Sequence, residues 1–155
     1  MQISVFVPPD GPVPVVTWLA GLACTEDNFT TKAGAYGIAA ELGLMVVAPD
    51  TSPRNDDVPD DDTYDLGQGA GFYLDATQAP WATHFNMYSY ITHDLPSALK
   101  TDFPSDWKRQ GVLGHSMAAT PRVVNPATGL QKSILRRLNT LEYIYAMTGG
   151  DSPSI

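Results

Sequence analysis

The interpretation of this chain depends on nine consecutive residues, Gln110-Gly111-Val112-Leu113-Gly114-His115-Ser116-Met117-Ala118. The first four of them predict a short buried strand, and the last five nearly match the motif Gly-x-Ser-x-Gly. That motif makes a sharp turn between a strand and a helix, and it leaves a serine hydroxyl exposed above the edge of a sheet. The final glycine of the motif is replaced here by Ala118. We therefore expect Ser116 to occupy a strand-to-helix elbow, where a serine can act as a nucleophile.

Apolar segments upstream of the elbow predict the other strands of a sheet. Residues 2–7 alternate between apolar and polar side chains and are rich in residues that favour strands. Residues 14–19 and 44–48 are almost entirely apolar runs, which are typical of strands buried on both faces. Together with residues 110–113, these runs predict a sheet in which three strands are fully buried.

Apolar residues at helical spacing predict the helices between those strands. One helix is expected within residues 25–41, closed by Gly43, and a second over residues 87–99, where Pro96 is expected to kink the helix or end it early. Residues 51–80 are rich in Asp, Pro and Gly and predict a long loop. Buried strands that alternate with helices indicate an α/β fold with a parallel sheet, in which the loops after the strands carry function.

The composition limits the compartment and the partners that we expect. A chain of 155 residues is long enough for one domain with a modest core, and its net charge of -8 argues against nucleic acid or an anionic membrane as a partner. The single cysteine, Cys24, excludes an internal disulfide framework and suits a reducing cytosol. Met1 is not followed by a basic, then apolar, signal segment, and no apolar run has the roughly 18 residues of a membrane span. We therefore expect a cytoplasmic protein.

The charge and the predicted secondary structure both change directly after the elbow. Of the 17 acidic residues, 15 precede Ser116, whereas the remaining residues carry more basic than acidic side chains. Pro121 and the pair Asn125-Pro126 conflict with the helix that should follow an elbow serine. Residues 133–147 could form an amphipathic helix, but nothing after the elbow predicts the further buried strands that such a sheet needs.

Four stretches of the chain match one family closely. They are Trp18-Leu19-Ala20-Gly21-Leu22-Ala23-Cys24-Thr25-Glu26, Ala48-Pro49-Asp50-Thr51-Ser52-Pro53-Arg54, Gly69-Ala70-Gly71-Phe72-Tyr73-Leu74-Asp75-Ala76-Thr77 with Pro80-Trp81, and Met87-Tyr88-Ser89-Tyr90. They resemble segments of the S-formylglutathione hydrolase (esterase D) family, whose members are α/β-hydrolases that cleave the thioester made from formaldehyde and glutathione. The resemblance extends to Met117 and implies part of an α/β-hydrolase fold, a parallel sheet flanked by helices.

The chain departs from the family's pattern after Met117. The family continues Gly-His-Ser-Met with Gly-Gly-His-Gly-Ala, whereas this chain continues with Ala118-Ala119-Thr120-Pro121. The family is also longer at both ends, and its catalytic Asp and His lie beyond the elbow. We therefore divide the chain into a partial α/β-hydrolase domain, residues 1–117, and a divergent tail, residues 118–155, which we interpret as the product of a frameshift or a misplaced splice junction.

The candidate catalytic residues follow from the motif and the resemblance together. Ser116 is the expected nucleophile, and the backbone N–H of Met117 is one donor of an oxyanion hole. The resemblance implies that the second donor is the backbone N–H of Leu22. No catalytic Asp or His is found in this chain. Its only histidines, His84, His93 and His115, are expected to be structural or exposed, so no base is assigned.

The cysteine, the acidic residues and the closely spaced glycines are more simply explained by structural roles than by catalysis or ligand binding. The resemblance implies that Cys24 is a thiol near the active site, but a small, buried apolar residue is the simpler interpretation. The acidic residues between Asp56 and Asp65 lack the spacing of a calcium loop, and we expect a solvated loop with no metal. Gly67, Gly69 and Gly71 do not join a strand to a helix, so they do not predict a phosphate site. The resemblance implies that they shape a loop beside the acyl pocket.

The sequence therefore predicts a serine esterase or thioesterase that uses no cofactor. The resemblance implies hydrolysis of a small-molecule thioester, S-formylglutathione, to glutathione and formate, as in formaldehyde detoxification. We expect this activity to be impaired in the chain as it stands, because the base is missing. The alternative is a non-catalytic fragment or a partner-binding pseudoenzyme. A half-built sheet would also leave an unpaired edge after the elbow strand, which favours association, including a homo-oligomer.

Overall fold

The computed structural model describes residues 1–118, and within them the chain forms one sheet of four strands. The strands are β1 (Ile3–Phe6), β2 (Val13–Leu19), β3 (Met45–Pro49) and β4 (Ser105–Gly114). Their order across the sheet is β1-β3-β2-β4. β2 runs parallel to both of its neighbours, β3 and β4, whereas β1 runs antiparallel to β3. The predicted α/β class with a mainly parallel sheet is confirmed.

The helices lie in the two connections between the parallel strands. They are α1 (Asp27–Lys32), α2 (Tyr36–Glu41), α3 (Met87–Ser89) and α4 (Leu95–Asp102). A π-helical turn, Tyr90–Asp94, joins α3 to α4, so these elements form one continuous helical rod. Short 3₁₀ turns occur at Trp81–Thr83 and at Ser116–Ala118.

The alternation of side chains along β2 explains why helices cover both faces of the sheet. Every second residue of β2 is buried, from Val13 to Leu19. Its apolar members pack in the main core with residues of β3 and of the α3–α4 rod, namely Met45, Val47, Met87, Ile91, Leu95 and Leu99. On the opposite face, Trp18 stacks on Phe29 of α1, with ring centroids 4.9 Å apart. The rod and the α1–α2 pair therefore cover different faces.

The strand order places the C-terminal ends of three strands at one edge. The chain passes from β2 to its neighbour β3 and then returns past β2 to β4. Such a reversal separates the connections to opposite faces of the sheet, and ligands bind outside the strand C-termini at that point. The loops that follow Leu19, Pro49 and Gly114 all begin there.

The helix predicted within residues 25–41 is wrong as a single element. α1 and α2 are separated, and Gly34 lies between them with a φ of +59°. This left-handed backbone suits glycine and is incompatible with a continuing right-handed helix. Gly43, with a φ of +64°, follows the last turn of α2 as predicted.

Two other boundaries also differ from the prediction. The helix does not end early at Pro96: this proline lies in the first turn of α4, directly after the π-helical turn Tyr90–Asp94, and the helix continues to Asp102. β4 begins at Ser105 rather than at 110, and most of it is half-buried rather than buried. Within the described sheet β4 pairs only with β2, so its other edge lacks a neighbouring strand.

The remaining predictions for the chain concern residues outside the described part. The amphipathic helix predicted over 133–147 lies there, as does nearly all of the tail predicted over 118–155. Within residues 1–118, no helix has both the length and the apolar character needed to cross a membrane.

The packing of the α3–α4 rod gives a direct test of the core. Leu95 is 1% exposed, whereas Leu42, after α2, is 63% exposed. We expect Leu95→Ala to lower the free energy of unfolding by about 2–5 kcal/mol, because it removes buried methyl groups and leaves a cavity. Leu42→Ala is the matched control and should change it by less than about 0.5 kcal/mol. Urea denaturation measures both, and equal effects of the two substitutions would contradict this account of the core.

Candidate active site

Ser116 lies at the sharp turn that the sequence predicts. One residue, His115, separates it from the end of β4, and it begins the 3₁₀ turn Ser116–Ala118. Ser116 is exposed and has a φ of +54°. Left-handed backbone is uncommon for a residue with a Cβ, and it is the strained conformation expected of a nucleophile elbow. Met117 is 5% exposed and is anchored in the core, which holds the turn against the sheet.

The loop after β2 lies against this elbow. Leu19 is paired with Gly114, and the His115 N–H donates a hydrogen bond of 3.1 Å to the Leu19 carbonyl. A Cβ on Gly21 would lie only 3.0 Å from the Ser116 Cβ and 3.2 Å from the His115 Nδ1. The close approach of the two loops therefore favours a glycine at position 21, because a Cβ there would press on both side chains.

The structure brings the three predicted site residues to one edge of the sheet. Leu22 directly follows Gly21 and is half-buried, whereas Met117 directly follows Ser116. Their backbone N–H groups therefore belong to the two loops that meet beside the serine. An oxyanion hole takes one donor from the residue after the nucleophile and one from a neighbouring loop, so the assignment of Leu22 and Met117 as donors stays a prediction.

Ala118, which replaces the last glycine of the motif, packs tightly on the end of β4. Its N–H donates to the His115 carbonyl at 3.2 Å, which closes the turn. A Cβ built on Gly114 would lie 2.9 Å from the Ala118 Cβ. The alanine is therefore accommodated because the first glycine of the motif, Gly114, leaves room for its methyl group.

A polar cluster holds the far end of the loop after β2. The Cys24 carbonyl accepts hydrogen bonds from the Thr51 hydroxyl at 2.6 Å and from the Arg54 Nη2 at 3.1 Å. The Arg54 Nε also donates to the Asp50 carboxylate, at 3.0 and 3.1 Å. The Asp50 side chain is 3% exposed, so this ion pair lies largely out of water. The loop after β3 thus fixes the backbone of the loop after β2.

A second set of contacts ties the same loop to residues 69–73. The Tyr73 hydroxyl donates to the Ala20 carbonyl at 2.9 Å, and the Ala23 N–H donates to the Gly69 carbonyl at 3.0 Å. The Gly69 N–H in turn donates to the Ser52 hydroxyl at 2.7 Å. Burial raises the pKa of Tyr73 above its ordinary range, so its hydroxyl stays protonated as a donor. Three loops therefore interlock behind the serine.

The glycine pattern at 67, 69 and 71 serves close backbone packing. A Cβ on Gly69 would lie 3.1 Å from the Ala23 Cα, and one on Gly71 would collide with the Thr51 carbonyl. Gly67 and Gly71 also border a small apolar pocket that is open to solvent. Aromatic and aliphatic side chains form most of its wall, including those of Leu66, Phe72, Leu74, Trp81 and Phe85.

None of the histidines shows the features of a catalytic base. His84 follows a 3₁₀ turn and His93 lies in the π-helical turn, where its Nδ1 is 2.7 Å from the Thr92 hydroxyl. Both are exposed, as is His115 beside the serine. The structure does not bring His84 or His93 together with a carboxylate in any hydrogen bond that it shows. The expectation that these residues are exposed is confirmed.

The acidic loop uses its carboxylates for local hydrogen bonds. Asp60 Oδ1 accepts from the Gln68 N–H at 2.7 Å, and Asp61 Oδ1 accepts from the Thr63 hydroxyl at 2.6 Å. The bonds from Thr63 lower the pKa of Asp61. Across residues 1–118, no group of His, Cys, Asp and Glu side chains is arranged to hold a metal ion.

Two buried side-chain oxygens have no hydrogen-bond partner among the described residues. They are Glu26 Oε2 and the Tyr90 hydroxyl. Burial raises the pKa of Tyr90 to about 12, with Asp50 and Asp94 adding to the increase. Cys24 is a half-buried free thiol, and in the contacts described above its carbonyl takes part in the site rather than its sulfur.

Sequence reasoning did not identify the residues that support the loops. Two of them contact the backbone on either side of Leu22 from 30 or more positions away, namely Arg54 and Tyr73. Asp50 acts indirectly, because it holds the Arg54 side chain. The only signal for them is that they lie within the stretches that resemble the S-formylglutathione hydrolase family. Their side-chain types alone predict a solvated loop.

Comparison with known proteins agrees with this architecture. The family model described as "Esterase: Putative esterase" matches residues 1–123. The S-formylglutathione hydrolase of Paracoccus denitrificans (strain Pd 1222) is 56% identical over 120 residues, covering 76% of this chain and 43% of the relative. The chain thus spans less than half the length of this curated relative.

Solved structures give the same result. An S-formylglutathione hydrolase from Agrobacterium tumefaciens superimposes with a TM-score of 0.72 at 50% identity, covering 74% of this chain and 43% of that one. The fluorophosphonate-binding serine hydrolase FphF of Staphylococcus aureus shares the fold, with a TM-score of 0.55 at 20% identity over 74% of this chain and 41% of its own. The resemblance read from the sequence is confirmed: the chain belongs to the putative esterase family and forms part of an α/β-hydrolase fold similar to that of the S-formylglutathione hydrolases.

Proposed function

We propose that this chain is the nucleophile-bearing part of a serine hydrolase that acts on thioesters and carboxylic esters. One observation carries the proposal: Ser116 adopts a φ of +54° at the end of β4, with the loop of Gly21 and Leu22 directly beside it. A strained serine against a loop that can offer N–H groups is an arrangement suited to acyl transfer. The fold alone would not support this, because one fold hosts many functions.

The proposed reaction begins with attack by the Ser116 Oγ on the carbonyl carbon of the substrate. A bond forms between that oxygen and the carbon, and the negative charge moves to the carbonyl oxygen. The N–H groups of Leu22 and Met117 are the proposed donors to this oxyanion. Collapse of the intermediate breaks the bond to the thiol or alcohol and leaves an acyl group on Ser116, which water then removes.

The proton of the Ser116 hydroxyl needs a base, and the family resemblance assigns that role to a histidine held by an aspartate. Since His84, His93 and His115 do not suit it, we propose that these two residues lie outside the sequence printed here. In the absence of that histidine and aspartate, the oxyanion hole and binding alone would give about 10³–10⁴-fold catalysis over water. Impaired activity of the isolated chain follows from this proposal.

The proposed substrate is S-formylglutathione, hydrolysed to glutathione and formate. Support comes from the two relatives at 50% and 56% identity, both named S-formylglutathione hydrolases. The reaction needs no cofactor, because serine and water supply the chemistry. The free Cys24 thiol fits a reducing compartment, and we propose a cytoplasmic location on that basis.

One observation favours a second function, in which the chain binds a partner and does not catalyse. Within the described sheet the outer edge of β4 has no neighbouring strand, and most of this strand is only half-buried. An open edge offers N–H and carbonyl groups to another strand, from a second copy or from a different protein. This alternative predicts no turnover and no effect of replacing Ser116.

The decisive experiment begins with the transcript across the codons for residues 113–125. We expect it to restore glycines after Met117 and to continue into a reading frame with a later Asp and His. In the protein that this frame encodes, Ser116→Ala should lower kcat for S-formylglutathione by about 10⁶-fold, as when the serine of a complete triad is removed. Ser97→Ala, on the exposed face of α4, is the control and should leave kcat unchanged.

The opposite outcome is equally clear. A transcript that matches the printed sequence to Ile155, together with a purified protein that hydrolyses neither S-formylglutathione nor aryl acetates, would replace the proposed function with the partner-binding alternative. Turnover by the 155-residue protein that disappears in Ser116→Ala would exclude that alternative instead.

The contact between the two site loops gives a separate prediction. In Gly21→Ala the new methyl group would lie 3.0 Å from the Ser116 Cβ, so the loops must move apart. A displacement of about 1 Å at a catalytic group costs about a hundredfold in rate, and this contact requires a shift of only a few tenths of an ångström, so we expect a smaller loss of kcat, about two- to tenfold. Gly37→Ala is the matched control, because nothing lies within 4 Å of its new Cβ. Equal kinetics of the two variants would contradict the proposed geometry.

A further inference from the structure

The structure assigns a role to Arg54, which we propose is a positioning residue for the oxyanion hole, held in place by Asp50. It acts on the loop after β2 that presents the Leu22 N–H. The inference rests on the proposed function, because it concerns the same site, and it names the side chains that fix one of that site's two donors.

The Arg54 guanidinium joins two loops through different nitrogens. Its Nε donates to both carboxylate oxygens of Asp50, and its Nη2 donates to the Cys24 carbonyl at 3.1 Å and to the Thr51 hydroxyl at 3.3 Å. The Thr51 hydroxyl donates to the same Cys24 carbonyl at 2.6 Å. A planar guanidinium can serve these acceptors together, whereas a lysine ammonium would act as a single point charge.

Asp50 determines the direction in which Arg54 points. Its side chain is 3% exposed and also accepts a hydrogen bond of 2.6 Å from the Thr51 N–H, so the carboxylate has little freedom to move. The Arg54 side chain is 31% exposed and would otherwise sample several rotamers in water. A fixed, buried acceptor on Nε therefore orients Nη2 toward the Cys24 carbonyl.

The Cys24 carbonyl is two residues from Leu22, and this short separation links the cluster to the site. The Cys24 N–H also donates to the Gly21 carbonyl at 3.3 Å, so residues 21–24 form a single turn. Ala23 within that turn has a φ of +59°, a strained conformation that surrounding contacts must maintain. Holding the Cys24 carbonyl therefore holds the turn on which the Leu22 N–H depends.

The other contacts to this turn approach from a different segment. Gly69 and Tyr73 hold Ala23 and Ala20, and they do not touch the Cys24 carbonyl in any contact described here. Loss of Arg54 should therefore loosen the end of the turn near Cys24 without releasing the whole loop. We expect a partial loss of alignment, smaller than the about 10²–10³-fold effect of removing an oxyanion donor outright.

The test compares Arg54→Ala and Arg54→Lys with the unaltered protein, all three made from the complete reading frame with its later Asp and His. Amide hydrogen exchange at Ala23 and Cys24, measured without substrate, reports the turn directly. In Arg54→Ala we expect exchange at Cys24 to be at least about tenfold faster, with a smaller increase at Ala23, whose N–H still donates to the Gly69 carbonyl. We expect kcat for S-formylglutathione to fall by about 10–100-fold with little change in KM, because the affected contact forms in the transition state. Arg54→Lys should lie between the two proteins.

Arg109→Ala is the matched control. Arg109 forms the other arginine–aspartate pair in residues 1–118, with Asp106 at 2.7 Å near the start of β4, and its side chain is 60% exposed. Its removal should change neither loop exchange nor kcat. If Arg54→Ala fails to fold in a thermal melt, Arg54→Lys decides the matter, because it keeps a positive charge beside the buried Asp50.

Each result has a defined meaning. Unchanged exchange at Ala23 and Cys24 in a folded Arg54 variant would overturn the proposal, and so would faster exchange with unaltered kcat in an active enzyme. If the unaltered protein shows no turnover that depends on Ser116, the proposed function fails. The exchange rates then still decide whether Arg54 holds the turn, so the two failures are distinguishable.

Discussion

The parallel pairing of β2 with β4 is the constraint on which the site depends. Its register sets Leu19 opposite Gly114, and the His115 N–H extends the pairing by one more hydrogen bond to the Leu19 carbonyl. The residues that follow, Gly21 on one strand and Ser116 on the other, are therefore brought into contact. A shift of one residue in this register would turn the alternating side chains of β2 out of the core, so burial along β2 also fixes the geometry of the site.

The elements that follow from local patterns could be predicted from the sequence. The apolar run of β2, the elbow at Ser116 and the terminating Gly43 each depend on neighbouring residues, and the structure shows each of them. The break at Gly34 was missed because the surrounding alanines favour a helix, and only a left-handed glycine interrupts it. Residues 110–113 are predicted to be buried because they are mostly apolar, but they are half-buried, since burial depends on what lies beside the strand.

The hydrogen bonds that hold the loops of the site could not be predicted, because they join residues that are far apart in the sequence. Tyr73 and Ala20 are 53 positions apart, and Arg54 and Cys24 are 30 apart. Phe72 and Tyr73 both adopt left-handed backbone, at φ values of +48° and +52°, in a stretch whose composition indicates only a loop. Neither periodicity nor turn propensity favours such a conformation for aromatic residues, so only the resemblance to a family marked this stretch as functional.

The distribution of strain indicates what these long-range contacts do. The four residues other than glycine with positive φ among residues 1–118 are Ala23, Phe72, Tyr73 and Ser116. All four belong to the elbow or to the loops interlocked behind it, and each such residue costs about 1–3 kcal/mol. Contacts such as Tyr73 to Ala20 offset this cost within the protein itself. The loops are therefore fixed by contacts within the protein, as electrostatic stabilisation of a transition state requires. Under the proposed function, a base that approached Ser116 from another part of the protein would meet loops whose backbone these contacts already fix.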